Sequence, residues 1–332
     1  MQAESEAIVG QGAVSRRQDI SACAAKGMGL RLFWHILPIL GAVILLLLLV
    51  VTSDLTWDQL VGVFEATSLG HVAAFTALTV LMLALSALKW RMVMVQLPSP
   101  DAAGAPPPSR PSSFLYTCLG AVLGIVMMPS VAKHAGRAMG ARLHGGLPAG
   151  KSVAASLFEQ IFDVALLVVL AGFGAILLAP MLAPFIAAVL VAVGVACAYL
   201  LRRPHLIPDR FHMGDLMRIL RSPLALRLSS ISLGIYLLTA LRAFIVAVPA
   251  GIALLPAEFF ASFSLVQLSR LIAITPMGLG IGDWSWATVL ALLDLPLALA
   301  AGFVLLNRSL NIFATLAAFG LSVVVSVLVR RS

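Results

Sequence analysis

Apolar runs about as long as the 20 or so residues a helix needs to cross roughly 30 Å of hydrocarbon recur along this chain. No other feature constrains its fold as strongly. Inside a bilayer no water satisfies the backbone, so only helices and closed barrels can span it. The runs lack the apolar–polar alternation of barrel strands, so the fold class is all-α and integral to the membrane. Composition agrees: 61% of the residues are hydrophobic and only 11% are charged, against about 25% charged in soluble domains.

Six full spans are expected, near 33–52, 70–95, 153–179, 182–201, 226–249 and 302–329. Two further apolar runs, 113–128 and 258–275, end at Pro129 and Pro276, and each is followed by a short second segment, 134–144 or 283–293. The first run, about Leu32–Thr52, is too long for a signal-peptide core and lacks a small-residue cleavage site, so it reads as a retained span. Residues 1–31 read as a cytoplasmic tail, and 98–111, with Pro106, Pro107 and Pro108, as a solvated proline-rich linker. Residues 210–221 have the mild amphipathicity of a segment lying at the interface.

Short basic loops orient the chain, because lysine and arginine stay on the cytoplasmic side. Loop 53–69 has Asp54, Asp58 and Glu65 with no lysine or arginine, so it lies outside. Loop 202–227, rich in arginine, lies inside, as does 133–151 with Lys133, Arg137, Arg142 and Lys151. Every basic loop agrees if 113–144 and 258–293 are re-entrant hairpins rather than spans. The net charge of +8 is thereby explained by topology, and nucleic acid is not an expected partner.

The halves of the chain resemble each other. Pro129 matches Pro276 at a spacing of 147 (276 − 129), and Leu147-Pro148 matches Leu295-Pro296 at 148 (296 − 148). Gln160 matches Arg308, and Asp163 matches Asn311, again at 148 (311 − 163). A transmembrane domain over 32–328 then divides into halves of about 32–180 and 181–328. Three crossings in each half put the halves in opposite orientations, an inverted repeat. Paired interrupted segments in such halves point to a transporter's substrate site.

Charges inside membrane spans are costly and mark sites by default. The candidates are Glu159 and Asp163, which share one helix face, with Arg242, Arg270, Arg308 and Asn311. The competing reading is a structural ion pair, for example Glu159 or Asp163 with Arg270 or Arg308. In Pro276–Asp283, alternating glycines suit either a phosphate-binding turn or a plain hinge, and Asp283 is placed to cap the next helix. On the first hairpin, Lys133 and Arg137 suit an anionic headgroup or ordinary positive-inside topology. Lys89 and Arg91, beside Trp90, are expected to snorkel to the interface. Cys23, Cys118 and Cys197 lie far apart, and no Cys/His spacing suggests a metal site. No catalytic triad or nucleotide motif stands out, so no catalytic residue, cofactor or metal is expected.

At Leu88-Lys89-Trp90-Arg91, Pro129 to Arg137, Phe158-Glu159-Gln160-Ile161-Phe162-Asp163, Pro276 to Asp283 and Asn307-Arg308 to Asn311, the chain resembles the transmembrane region of lysylphosphatidylglycerol synthases, the flippase-like family also called UPF0104. The resemblance covers about residues 30–328. It departs from the family's usual pattern at Lys133-His134, where a Gly-Glu pair is common. The resemblance implies a bacterial inner-membrane protein that moves lipids or lipid-linked molecules between leaflets; the charge pattern puts the N-terminus in the cytoplasm, and the expected partner is a membrane lipid with an anionic or a lipid-linked headgroup. The alternative is a membrane enzyme, or an accessory subunit partnering an enzyme, of lipid or glycolipid synthesis such as a hopanoid pathway. The chain ends at Ser332 without the soluble aminoacyl-transfer domain of the full synthases, so lysyl transfer is not expected.

Overall fold

The computed structural model describes residues 40–41, 43–97, 107–145, 149–202, 218–271, 275 and 278–331. The 1–31 tail, most of the 98–111 linker, residues 210–217, and Pro148 and Pro276 of the repeat lie outside them. Every regular element among the described residues is helical. In chain order they are α1 (Val43–Thr52), α2 (Trp57–Glu65), α3 (Leu69–Gln96), α4 (Arg110–Val126), α5 (Pro129–Gly145), α6 (Ala149–Leu178), α7 (Ala183–Arg202), α8 (Pro223–Ala247), α9 (Pro256–Leu271), α10 (Ile281–Ala291) and α11 (Leu297–Arg331).

Local sequence explains where these helices begin. Thr56 and Ser68 open α2 and α3 with capping boxes closed by Gln59 and His71, so orphan N–H groups are satisfied. Ser109 and Ser222 cap α4 and α8, each followed by a proline in the first turn, where proline sacrifices no hydrogen bond. Four helices, α3, α6, α8 and α11, are long and apolar enough to cross a membrane, and α1 with α2 makes a fifth if that bent pair is one span. The chain is thus a multi-pass membrane protein. The expected span over 182–201 corresponds to α7, a helix of 20 residues. The pair α1–α2 bends by 102°, and α2 buries no residue.

Leu316, Phe313, Val324 and Leu328 of α11 and Phe173 and Leu177 of α6 stand exposed, as expected where the solvent is lipid. The interior holds two main clusters. One gathers Phe259, Phe263, Trp286 and Phe303, with Trp286 and Phe303 ring centroids 4.9 Å apart at 79°, an edge-to-face geometry. The other gathers Trp90, Tyr116, Phe158 and Phe162.

The two interrupted runs are pairs of short antiparallel helices. In α4–α5, Tyr116 faces Gly140, Gly120 faces Gly136 and Gly124 faces Ala132. The Gly120–Gly136 approach is close enough that a Cβ on Gly136 would collide with the Gly120 backbone, so this crossing requires glycine. In α9–α10, Ser285 Oγ donates to Ser269 Oγ at 2.7 Å, and Arg270 lies against Gly282.

The element order long helix, helical pair, long helix occurs twice, as α3–α6 and α8–α11. The packing is reciprocal: α4 of the first set packs on α11 of the second, α9 of the second packs on α6 of the first, and α3 packs on α8. Burial repeats too. At a spacing of 153 along α3 and α8, Phe75/Leu228, Thr79/Ser232, Ala87/Ala240 and Val93/Val246 are all buried. At 146 along α4–α5 and α9–α10, Tyr116/Ser262, Cys118/Ser264 and Arg137/Asp283 are buried. At 148 along α6 and α11, Ser152/Ala300, Phe158/Leu306 and Phe162/Leu310 are buried. The spacing changes because connections differ in length: residues 97–109 join α3 to α4, whereas only 248–255 join α8 to α9.

Candidate functional site

Two clusters of charge lie within the helices, one in each set. In the first, α6 presents Glu159 and Asp163, one helical turn apart. Glu159 is fully buried, and its Oε1 meets Arg137 Nη1 and Lys133 Nζ, each at 2.5 Å. Asp163 Oδ1 meets Lys89 Nζ at 2.5 Å, and Lys89 also donates to the Glu159 carbonyl at 2.8 Å. Lys133 bridges on to Asp163 Oδ2 at 3.7 Å. Arg137 is held on every side: it donates to Ser86 Oγ and carbonyl at 2.9 and 3.1 Å, and to Thr117 Oγ1 at 3.3 Å. It lies 5.4 Å from the Trp90 ring centroid, a cation–π distance. Three cations and two carboxylates give this cluster a net charge of +1.

In the second cluster, α10 presents Asp283 and α11 presents Arg308. The pair is bidentate, with Arg308 Nε and Nη2 at 2.9 and 2.7 Å from Asp283 Oδ1 and Nη2 at 2.5 Å from Oδ2, the strong geometry of guanidinium on carboxylate. Asp283 also accepts the Gly280 N–H at 2.9 Å, which closes the first turn of α10. The chain reaches that cap through Gly278 and Gly280 at φ of 67° and 82°, a region open to glycine at no steric cost. Arg242 of α8 donates to Thr79 Oγ1 of α3 at 3.1 Å and lies 4.8 Å over the Phe75 ring. Arg270 at the end of α9 has a buried Nε with no hydrogen-bond partner.

Beside the first cluster, α6, α8 and α9 border an open cavity of about 150 Å³ lined by Asp163, Leu166, Leu167, Ser232, Ile235, Tyr236, Thr239, Phe263 and Gln267. It is large enough for several waters or a small polar group. Asp163, 35% exposed, is the only charged residue in this lining. The Tyr236 hydroxyl hydrogen-bonds Ser264 Oγ across the α8–α9 contact.

The structure corrects two expectations. Lys89 does not snorkel to an interface: it is 1% exposed and paired with Asp163. The α3 face that carries Thr79, Ser86 and Lys89 turns inward, so the ammonium finds its counter-charge inside the protein. Nor do Glu159 and Asp163 pair with Arg270 or Arg308. Their partners are Lys89, Lys133 and Arg137, whereas Arg308 pairs with Asp283. Of the residues singled out by sequence, Lys133, Arg137, Glu159 and Asp163 come together in one cluster, and Asp283 and Arg308 pair in the other. Asn311 lies one turn from Arg308 on α11. The sequence reading missed Lys89 together with Ser86, Thr117 and Ser156 around Arg137. Their signal was present: Thr79, Ser86 and Lys89 recur at helical period along one face of an otherwise apolar span.

A family model described as Lysylphosphatidylglycerol synthase TM region matches residues 38–319, which takes in both clusters and both helical pairs. No curated protein and no solved structure matches the chain.

Proposed function

The chain belongs to the lysylphosphatidylglycerol synthase TM region family, and from that premise we propose that it moves a lipid or lipid-linked molecule between the leaflets of a bacterial inner membrane. The observation that carries this reading is the reciprocal packing, α4 on α11 and α9 on α6, together with a cavity between α6, α8 and α9 that has a carboxylate in its wall. In this reading the halves are an inverted repeat, the two helical pairs are re-entrant, and the N-terminus is cytoplasmic. Elements related in this way support alternating exposure of one site to the two sides.

The headgroup enters this cavity at its polar edge while the acyl chains stay in the bilayer. Asp163 and Gln267 of its lining offer acceptor and amide groups, and Arg242, Arg270 and Arg308, outside that lining, supply positive charge along the path. Lys133 and Arg137 hold Glu159 and so position Asp163 one turn away. The α4–α5 and α9–α10 pairs, each tied by an ion pair to the following long helix, are the elements that would rock.

Purified protein in liposomes, loaded with a fluorescent short-tailed phospholipid on both leaflets, tests the proposal by dithionite quenching. The expected result is translocation faster than in protein-free liposomes, slowed by Asp163→Asn and by Arg308→Gln. Wild-type rates in both variants, with normal folding, refute the site assignment. Rates equal to empty liposomes across a panel of lipid headgroups refute the translocation reading.

A further inference from the structure

The two halves are equal in packing but not in charge. At the spacing that aligns burial in α3 and α8, Lys89 corresponds to Arg242 (242 − 89 = 153), so each half carries one cation at the same place on its central helix. At the spacing that aligns α6 and α11, Asp163 corresponds to Asn311 (311 − 163 = 148). In the first half the cation meets its carboxylate, Lys89 on Asp163 at 2.5 Å. In the second half the position of that carboxylate holds a neutral amide.

Arg242 is therefore left with the Thr79 hydroxyl and the face of Phe75. Among the described residues no carboxylate lies within salt-bridge distance of it. Arg270 adds a second cation with no equivalent, since Gly124 stands 146 residues before it (270 − 146 = 124). Its Nε is buried and unpartnered, and Gly282 leaves the space that the guanidinium fills. Asp283 cannot serve these arginines fully, because Arg308 takes both of its oxygens. Three arginines against one carboxylate leave this cluster at +2, against +1 in the first. Buried cations in a bilayer interior are otherwise paired, and a guanidinium matches the geometry of an oxyanion.

We infer that Arg242 and Arg270 form a binding site for a phosphate-class oxyanion, in the place where the first half supplies its own carboxylate as Asp163. The Thr79 hydroxyl, already bonded to Arg242, sits at the edge of this site. Asp163 is then a built-in counterpart of the ligand: in the first half the central-helix cation Lys89 keeps its own carboxylate, while in the second half the corresponding Arg242 waits for an anion. This names the headgroup chemistry of the translocation reading and rests on that reading only in taking a lipid as the source of the phosphate.

The decisive variant is Asn311→Asp, which removes no arginine and restores the missing carboxylate. The full chain, purified in uncharged detergent, is titrated with dioctanoyl phosphatidate, with dioctanoylglycerol and with inorganic phosphate. Dioctanoyl phosphatidate should bind wild type and the exposed-site control Arg110→Gln alike, and bind Asn311→Asp, Arg242→Gln and Arg270→Gln about tenfold or more weakly, as the loss of one charge-assisted contact implies. Thermal unfolding without ligand separates this from misfolding, since Asn311→Asp should melt no lower than wild type. Inorganic phosphate binding with the same variant sensitivity supports the site with a soluble anion as its source. Binding by phosphatidate alone supports it with a lipid. Undiminished phosphatidate binding by folded Asn311→Asp and Arg242→Gln, equal binding of dioctanoylglycerol, or no binding of either phosphate probe to wild type overturns it. A protein that binds phosphatidate in this way yet moves no lipid in liposomes keeps the anion site and loses the translocation reading. Unaltered lipid transport by Asn311→Asp that no longer binds phosphatidate removes the site from the transport path and overturns its role there.

Discussion

Arg137→Met tests the charge network of the first half most sharply. Arg137 and Glu159 are both fully buried and meet at 2.5 Å, and Arg137 also holds Ser86, Thr117 and Ser156. Methionine fills much of the same space but leaves the Glu159 carboxylate with Lys133 alone. Removing one partner of a buried pair costs about 3–5 kcal/mol. Lys133 remains on the same oxygen and is 29% exposed, so it can follow the carboxylate, and the lower end of that range, about 3 kcal/mol, is expected. At about 2–4 °C per kcal/mol for a protein of this general size, the melting temperature should fall by roughly 6–12 °C. Intrinsic-fluorescence melting of the detergent-solubilised protein measures this, and Trp90, stacked under Arg137, is a local reporter. Glu159→Gln should be similarly costly, and the double variant less costly than the two singles together by about 1–3 kcal/mol, because each side chain matters mainly through the other. Lys133→Met, at a partly solvated position, should shift melting by only about 2 °C. Additive single effects, or an Arg137→Met protein that melts with wild type, would refute the reasoning that this pair organises the first helical pair against α6.

Four further outcomes are expected. Gly136→Leu should drive α4 and α5 apart where their backbones touch, costing about 1–3 kcal/mol or more, read as a drop in melting temperature that Gly150→Leu, at an open position, does not show. Asp283→Ala loses both the cap to Gly280 and the charge on Arg308, whereas Asp283→Asn keeps a capping oxygen, so the alanine variant should be less stable by about 1 kcal/mol. In a background with Cys23 and Cys197 replaced, Cys118 on α4 should cross-link to Ala318→Cys on α11, since the native residues share one buried cluster. Failure of that cross-link would refute the reciprocal packing of the two halves. Lys89→Met should destabilise the protein more than Arg91→Met, because Lys89 is buried on Asp163 whereas Arg91, among the described residues, donates to a backbone carbonyl, that of Pro108.

Much of this architecture follows from local chemistry. Span length in hydrocarbon set α3, α6, α8 and α11, Pro129 opens the second helix of the first short pair, and serine or threonine caps α2, α3, α4 and α8. The order long helix, helical pair, long helix, seen twice, has a counterpart in intramembrane polar residues that recur at a fixed spacing, Gln160 with Arg308 and Asp163 with Asn311. Charge partnership was not legible in this way. Lys89 and Asp163 are 74 residues apart, and Arg242 and Thr79 are 163 apart. No local pattern says which buried cation will meet which carboxylate. Helical period placed Glu159 and Asp163 on one face, but the packing of α3, α5 and α6 selected Lys89, Lys133 and Arg137 as their partners. The same packing gave Asp283 to Arg308 and left Arg242, among the described residues, with no carboxylate in salt-bridge distance. Sequence fixes what each helix must bury, through hydration and length. Only the tertiary structure decides which buried charges neutralise one another, because a charge inside a bilayer is satisfied by what folding brings within a few ångströms of it.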